Sequence, residues 1–390
     1  SIRRQRQMCI RDRHMHLAKL AYDETGRGIY EDKAIKNLYA SEYIWNSIKD
    51  NKTVGIIGED KQKGLTYVAE PIGVICGVTP TTNPTSTTIF KAMIAIKTGN
   101  PIIFAFHPSA QQSSKHAAKV ILEAAIKAGA PKDCIQWIEI PSIEATKQLM
   151  NHKDIALVLA TGGSGMVKSA YSTGKPALGV GPGNVPTYIE KTAHIKRAVN
   201  DIIGSKTFDN GMICASEQVM VVDKEIYSDV VKEFKLHHTY FVNKNQLQQL
   251  EDAIMNEDKT AVKPDIVGKS AVSIAKLSGI SVPEKTKLLV AEIDGIGKDY
   301  PLSREKLSPV LAMVTAKSTR HALQICEDTL NFGGLGHTAV IHTEDSQLQQ
   351  KFGLKMKACR VLVNTPSAVG GIGNMYNELI PSCLLYTSDA

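Results

Sequence analysis

The sequence predicts an α/β protein with two domains. Between residues 70 and 180, short apolar runs of strand length alternate with segments in which apolar residues recur at helical spacing. Strands that alternate with helices indicate a parallel sheet with crossover helices, an open α/β arrangement of the nucleotide-binding type. The length of 390 residues exceeds one ordinary domain and suits two, each large enough to bury a core.

Four strands and four helices are predicted in the first domain after residue 70. The strands span residues 72–77, 101–106, 134–140 and 155–160, and the helices span 85–97, 112–128, 142–150 and 165–173. Ahead of them, two strand-like runs flank the polar segment 58–64. These runs, 52–57 and 65–70, predict a long hairpin that projects from the sheet.

A second α/β unit is predicted to begin after residue 182. Its helices lie near 191–204, 226–235, 244–256, 267–278 and 318–330, and its strands near 217–222, 287–291, 309–315, 338–342 and 360–363. We therefore expect one domain at 16–182 and another at 183–365. The remaining segments are a return segment at 366–382 and two tails, 1–15 and 383–390.

Composition and charge exclude several classes of function. No apolar run approaches the length of a membrane span, and the first thirty residues lack the apolar core of a secretory signal. The net charge is +7, but residues 1–13 hold five arginines against one aspartate, which leaves +3 for the rest. The body mixes both signs, so no nucleic-acid-binding face is predicted. We expect a cytoplasmic protein with small-molecule partners.

The two ends of the chain differ from the sequence between them. Residues 1–13 show neither helical nor strand periodicity, and the last eight residues likewise break off from what precedes them. We expect both tails to be foreign sequence that flanks a partial gene. They are excluded from the prediction of the fold.

One of the seven cysteines lies in a segment suited to catalysis. The cysteines are scattered, no C-x-x-C pair occurs and the histidines show no metal-ligand spacing, so no metal site is predicted. Cys214 lies between a glycine-containing turn and Ser216-Glu217, where a loop can present a thiol beside backbone N–H groups. The alternative is a core cysteine ahead of the strand 217–222, and this segment alone leaves both interpretations open.

Several segments, in one order along the chain, resemble the aldehyde dehydrogenase superfamily. The likeness is to its CoA-acylating members, specifically the aldehyde half of bifunctional aldehyde-alcohol dehydrogenases, and it covers about residues 16–382. Independent motifs in a fixed order are more specific than any one of them. The matching segments are 70–85, 161–167, 179–186, 208–218, 305–309, 333–337, 364–367 and 370–373.

The resemblance implies an aldehyde dehydrogenase-like fold and a covalent mechanism. It implies a Rossmann-type NAD-binding domain at 16–182, a catalytic domain at 183–365 and an oligomerisation hairpin at about 50–70. Cys214 corresponds to the nucleophile, and the Asn83 amide with the Cys214 backbone N–H corresponds to the oxyanion hole. An amide donates without titrating, which suits this role. The alternative for Asn83 is a plain Asn-Pro turn.

Cofactor contacts also follow from the resemblance. One contact is the glycine segment 162–165, which opens a predicted helix where free N–H groups favour phosphate. Another is the carboxylate of Glu305, which is expected to hold the nicotinamide ribose. Many relatives carry a lysine where this chain has His107, and a neutral imidazole lacks the fixed charge that favours a 2′-phosphate. We therefore expect NAD rather than NADP. The residues are Gly162, Gly163, Gly165, Met166, His107 and Glu305; the alternative for the glycines is a close-packing turn.

An absent glutamate predicts the acyl acceptor. Hydrolytic relatives carry a glutamate that activates water, and this chain aligns Val180 at that place. Valine cannot act as a general base, so a thiol is expected to release the acyl group. This favours CoA as co-substrate, with His337 near the acyl or CoA pocket or, alternatively, simply packed. Glu217 or Glu305 acting as a substitute base stays open.

The predicted function is a CoA-acylating acetaldehyde dehydrogenase. It would interconvert acetaldehyde, CoA and NAD with acetyl-CoA and NADH through a thioester on Cys214, and the reverse direction would serve fermentation. The alternatives are a hydrolytic aldehyde dehydrogenase and an inactive or structural fragment of a filament-forming bifunctional enzyme. We expect the full-length parent to be a homo-oligomer.

Overall fold

A computed structural model describes residues 13–373 and Leu379, which form two compact units. Within the described range, the first unit comprises residues 13–26 and Tyr30–Gly181, and the second comprises Arg27–Ile29 and the residues from Pro182 onward. The predicted tail 383–390 and part of the return segment lie outside the described residues, as does most of the first tail. His14 and Met15, assigned to that tail, belong instead to a helix.

A five-stranded parallel sheet forms the centre of the first unit. Its strands have the order β5-β4-β3-β6-β7, which is the 3-2-1-4-5 order of a dinucleotide-binding sheet. In such a sheet, ligands bind beside the carboxyl ends of the strands where the order reverses, here β3 and β6. The strands are β3 (Val74–Val78), β4 (Ile102–Ala105), β5 (Ile135–Trp137), β6 (Ile155–Thr161) and β7 (Ala177–Val180).

Helices follow the strands of this sheet as the sequence predicts, with ends shifted by at most two residues. Because proline lacks an N–H group, Pro84 suits the first position of α4. The side chain of Ser142 caps α6 by accepting a hydrogen bond from the Ala145 N–H. The helices are α4 (Pro84–Lys97), α5 (Gln111–Lys127), α6 (Ile143–Asn151) and α7 (Ser164–Tyr171).

The N-terminal helices were not predicted from the sequence. They are α1 (His14–Thr25), α2 (Tyr30–Leu38) and α3 (Ile44–Ile48), with a π-helical segment at Tyr39–Tyr43 between the last two. Leu17, Ala18 and Ala21 of α1 are fully buried, whereas Lys33 and Lys36 are buried polar residues of α2. A helix that buries lysines does not show the apolar periodicity by which helices are recognised.

The turn of the hairpin is shorter than the predicted segment 58–64. Its strands β1 (Gly55–Asp60) and β2 (Leu65–Ala69) form a separate antiparallel pair joined by residues 61–64. The first strand therefore begins and ends three residues later than expected. The reason is a register shift between Ile56 and Gly58, which lets the strand continue through a glycine that suggested a turn.

The second unit contains a seven-stranded parallel sheet of order β10-β11-β12-β9-β8-β13-β14. Every residue of the two central strands β8 and β9 is buried, since helices cover both faces. The strands are β8 (Val185–Ile189), β9 (Glu217–Asp223), β10 (Thr239–Val242), β11 (Leu288–Glu292), β12 (Val310–Ala316), β13 (Gly336–His342) and β14 (Ala358–Val363).

The helices of the second unit connect these strands. Five agree with prediction within about four residues, and α13 and the short α14 were missed, as were the strands β7, β8 and β10. Short elements with interrupted patterns, such as β8 with Pro186, lack a clear periodic signal. The helices are α8 (Ile195–Thr207), α9 (Tyr227–Leu236), α10 (Lys244–Ile254), α11 (Ala271–Leu277), α12 (Thr319–Gly333), α13 (Ser346–Lys355) and α14 (Ser367–Gly370).

Candidate active site

The amino-terminal edge of the second sheet gathers several predicted site residues. Gly183 precedes β8, Cys214 precedes β9, Glu305 precedes β12, and His337 is the second residue of β13. These four strands are neighbours in the order β12-β9-β8-β13. Because the strands are parallel, their amino ends lie at one edge, so residues distant in sequence are brought side by side.

Gly183 is the contact point between three of these segments. Its N–H donates to Oε1 of Glu305 at 2.8 Å. A methyl group at its Cα would lie 2.1 Å from the carbonyl oxygen of Cys214 and 3.0 Å from Cε1 of His337. Only glycine permits this approach, which places the Cys214 backbone, the Glu305 carboxylate and the His337 ring around one residue.

The segment ahead of Cys214 holds an unusual backbone. Asp209 and Asn210 have φ of 47° and 51°, in the left-handed region that these residue types tolerate. The Asp209 carboxylate accepts the N–H of Ile29 at 2.6 Å, and Asn210 donates to the carbonyl of Gly268 at 2.9 Å. These bonds stabilise a turn that would otherwise be strained, and the turn directs the chain into Cys214.

The thiol of Cys214 is partly accessible to solvent but closely surrounded by protein. Burial, together with the negative charge of Glu305, raises its pKa to about 11. Arg360 and the N–H groups of Cys214 and Ala215 act in the opposite direction. The resting thiol is therefore protonated at neutral pH, and its activation requires additional positive charge or a proton acceptor.

The carboxylates near Cys214 have different surroundings. Burial raises the pKa of Glu305 to about 7, against the Gly183 N–H and two lysines that lower it. Glu217 is fully buried, and its two oxygens accept from Ser205 Oγ at 2.5 Å and from the Ser367 N–H at 2.9 Å. Glu217 thus holds α8 and α14 against β9, and both of its carboxylate oxygens are used in these hydrogen bonds.

Two fully buried lysines beneath this edge were not found from the sequence. Lys206 donates to Oε1 of Gln218 at 2.9 Å, and burial lowers its pKa to about 7. The Lys306 ammonium donates to the carbonyls of Gln218, Leu302 and Arg304. Lys206 lies in α8 and Lys306 in the segment ahead of β12, and a single lysine in either place is also a common surface pattern.

His337 is buried and neutral. Its Nδ1 lies 3.0 Å from Thr338 Oγ1, and Nε2 has no hydrogen-bond partner among the described residues. Burial, together with the positive charge of Arg360, lowers the pKa of His337 to about 3. A base this weak cannot hold a proton taken from a thiol, but its open nitrogen can make one hydrogen bond.

Asn83 begins α4, after β3 in the first unit. Its Oδ1 accepts a hydrogen bond from the Lys36 ammonium at 2.6 Å, and its Nδ2 donates to Thr82 Oγ1 at 3.2 Å. Its backbone carbonyl accepts from Thr87, so Asn83 is also the N-cap residue of the helix. The turn and the oriented amide are therefore both present at this residue.

The glycine segment lies at the carboxyl end of β6 and opens α7. Gly163 and Gly165 are exposed, and an added methyl group at either would meet no atom within 4 Å. Open space beside the free N–H groups of a helix N-terminus fits a nucleotide phosphate or ribose. The buried Lys91 links the carboxyl ends of β3 and β6, because its ammonium donates to the carbonyls of Val78 (2.5 Å) and Leu159 (2.8 Å).

Two further predicted positions lie in the first unit. His107 is exposed at the end of β4, and its Nδ1 accepts from the Ser109 N–H at 3.1 Å, which places the proton of the neutral ring on Nε2. Val180 ends β7, is buried and accepts a hydrogen bond from Gly162 through its carbonyl. Its side chain supplies no proton acceptor.

Similarity to known proteins identifies the family. The profile of the aldehyde dehydrogenase family matches residues 1–374. The chain belongs to the aldehyde dehydrogenase family. Both the family and the α/β fold with parallel sheets were predicted and are confirmed.

Relatives specify the branch of the family. An aldehyde-alcohol dehydrogenase of Streptococcus pneumoniae is 55% identical over 381 residues, covering 96% of this chain and 43% of that protein. An acetylating aldehyde dehydrogenase of Geobacillus thermoglucosidasius has TM-score 0.96 and 46% identity, over 99% of this chain and 85% of that one. A Rhodopseudomonas palustris propionaldehyde dehydrogenase solved with propionyl-CoA has TM-score 0.87 and 30% identity, over 100% and 84%.

This family member is similar to the aldehyde half of the bifunctional relatives, and it spans less than half the length of the Streptococcus protein. Among the described residues, no helix is both long and apolar enough to cross a membrane. Within the same residues, no cluster of three or more His, Cys, Asp or Glu side chains is arranged to hold a metal ion.

Proposed function

We propose that this chain is a CoA-acylating acetaldehyde dehydrogenase that uses NAD. The observation that carries the proposal is the group around Gly183, which contacts Cys214, Glu305 and His337. Similarity to acetylating relatives supports the CoA-dependent reaction. The reaction would interconvert acetaldehyde, CoA and NAD with acetyl-CoA and NADH.

Cys214 is assigned the role of nucleophile. Its thiolate would attack the aldehyde carbon, and the Asn83 amide with the Cys214 backbone N–H would donate to the resulting oxyanion. Because the free thiol has a raised pKa, the thiolate depends on positive charge nearby. Arg360 supplies such charge within this chain.

The cofactor is assigned to the glycine segment at the start of α7 and to Glu305. The exposed glycines leave room for the nucleotide, and the Glu305 carboxylate suits ribose hydroxyls as a hydrogen-bond acceptor. NAD held there would supply the hydride acceptor for oxidation of the aldehyde. A neutral His107 offers no fixed charge to a 2′-phosphate, which favours NAD over NADP.

Transfer of the acyl group to CoA follows from the lack of a base at position 180. The buried Val180 cannot activate water, and both oxygens of Glu217 are engaged in structural hydrogen bonds. A thiolate is intrinsically nucleophilic and needs less assistance than water. His337 is assigned to orienting the acyl or CoA group through Nε2 rather than to proton abstraction, since its pKa is near 3.

The experiment is a comparison of NADH formation from acetaldehyde and NAD with and without CoA. We expect turnover only with CoA, and a loss of at least a thousandfold in Cys214→Ala with NAD binding retained. Parallel assays with NADP measure the cofactor preference. Sustained NADH formation without CoA would instead indicate hydrolysis, with Glu305 as the base, because its raised pKa suits that role.

A further inference from the structure

Two consecutive residues of α2 bind the first turn of α4. The Lys36 ammonium donates to Oδ1 of Asn83 at 2.6 Å, and Oδ1 of Asn37 accepts from Thr85 Oγ1 at 2.7 Å. Lys36 is 7% exposed and Asn37 is fully buried. The two contacts join the same pair of helices, but only the first reaches the Asn83 amide.

The contact from Lys36 fixes the orientation of the amide. An ammonium has three donors and no acceptor, so the Asn83 atom that faces it must be the oxygen. The NH2 group is then directed away from the lysine, and its described partner is Thr82 Oγ1 at the long distance of 3.2 Å. The positive charge of the Lys36 ammonium beside the amide oxygen also polarises the Asn83 amide, which makes its NH2 hydrogens stronger donors.

We propose that Lys36 is a positioning residue that orients and polarises the Asn83 amide for oxyanion stabilisation. The inference rests on the proposed function, in which Asn83 donates to the oxyanion. An electrostatic site works by preorganisation, so a donor held in one orientation costs no reorganisation when the charge develops. Without Lys36, the amide would be free to rotate by 180° and present its oxygen to the oxyanion.

The test compares three variants with the unmodified chain. Lys36→Met removes the donor and the charge, and Lys36→Arg keeps both. Thr85→Val removes the neighbouring contact between the same helices and leaves the Asn83 amide untouched. We expect Lys36→Met to lower kcat and kcat/KM for acetaldehyde equally, on the order of tenfold, because the interaction acts in the transition state. Lys36→Arg should stay within about threefold, and Thr85→Val within about twofold.

A double-mutant cycle with Asn83→Ala separates positioning from general destabilisation. We expect Asn83→Ala to lose on the order of a hundredfold in kcat, and Lys36→Met to add no further loss in that background. An equal tenfold loss in both backgrounds, or a loss in Thr85→Val as large as in Lys36→Met, would overturn the inference. Thermal unfolding and NAD titration of each variant show whether its fold has changed. If Lys36→Met does not fold, Lys36→Gln takes its place.

The two proposals can fail separately. Full activity in Asn83→Ala would remove the assigned oxyanion role and, with it, the reason for Lys36. Impaired Asn83→Ala with an additive effect of Lys36→Met would overturn the Lys36 inference alone and leave the proposed function intact.

Discussion

Cys214 experiences opposing charges from two neighbouring segments. Glu305, hydrogen-bonded to the Gly183 N–H, raises the pKa of the thiol, and Arg360 lowers it. Arg360 is held near the Cys214 loop because its guanidinium donates to the carbonyl of Gly371. A methyl group added at Gly371 would lie 3.2 Å from Cβ of Ala215, so this segment packs directly beside the nucleophile. The reactivity of Cys214 therefore depends on the strand β14 as well as on its own loop.

Removing the charge of Arg360 should slow alkylation of Cys214. The thiol has a pKa near 11, so at pH 8 its reactive thiolate is a small fraction. In Arg360→Gln the pKa rises further, and a rise of about one unit lowers the rate at pH 8 about tenfold. Glu305→Gln should act with the opposite sign, because a negative charge is lost.

The measurement is the rate of iodoacetamide labelling of Cys214 from pH 7 to 10, with Cys214→Ser to identify the labelled thiol. Arg197→Gln is the matched control: its guanidinium lies on the same unit and donates to the carbonyl of Asn364. Labelling of Arg360→Gln at the rate of the unmodified chain would contradict the assignment.

At the scale of elements, the second unit places its candidate site at the amino ends of parallel strands. Ligands in open α/β sheets usually bind at the carboxyl ends, as predicted for the glycine segment after β6 in the first unit. Loops that enter β8, β9 and β12 instead carry Gly183, Cys214 and Glu305. The close approach at Gly183 is what makes this loop arrangement compatible with a packed sheet.

Gly183→Ala should disrupt this arrangement. The new methyl group would overlap the Cys214 carbonyl, so the loop must shift. Overpacking of this kind costs about 1–3 kcal/mol of stability, and a displacement of about 1 Å at the nucleophile can cost on the order of a hundredfold in kcat. Thermal unfolding and steady-state kinetics measure the two effects.

Gly204→Ala is the control for this substitution. Gly204 lies within α8 of the same unit, and an added methyl group there meets no atom within 4 Å. Alanine in a helix should raise the free energy of unfolding by about 0.5–1 kcal/mol. If Gly183→Ala behaved like Gly204→Ala, the close contact would have no functional importance.

At the scale of the whole molecule, the hairpin of β1 and β2 is a separate two-stranded sheet that pairs with no other strand among the described residues. Ile56 and Val68 pair across it and are 54% and 55% exposed. A two-stranded hairpin is marginally stable in water, and exposed paired apolar residues favour association. We propose, in line with the resemblance, that this hairpin mediates self-association of the chain.

Val68→Glu should weaken that association. Association would bury the new carboxylate, and the loss of its hydration is unfavourable. We therefore expect the variant to have a lower molar mass than the unmodified chain at equal concentration in size-exclusion chromatography with light scattering. Lys61→Glu, in the exposed turn, is the control and should leave the mass unchanged. A monomer in the unmodified chain would remove the proposal.

The motifs predicted the fold class and the family, because a series of segments in fixed order is specific even without contacts. Four of the five strands in the sheet of the first unit were predicted to within three residues, since apolar runs bounded by glycine and proline carry a local signal. The helix α2 was missed because it buries Lys33 and Lys36. Lys36, Lys206 and Arg360 were missed because a charged residue in sequence gives no sign of what it faces. The assigned roles of Cys214 and Asn83 stay predictions.

The sequence by itself determined which residues are chemically able to act: a thiol after a glycine-containing turn and an amide after a strand. These depend on residue type and local order, whereas the importance of Val180 as a missing base is what the resemblance implies. The tertiary structure decided the strand order that brings Gly183, Cys214, Glu305 and His337 together, and the burial that shifts their pKa values. Neighbour relations between parallel strands and the loss of hydration on burial are non-local, so they arise only when the chain folds.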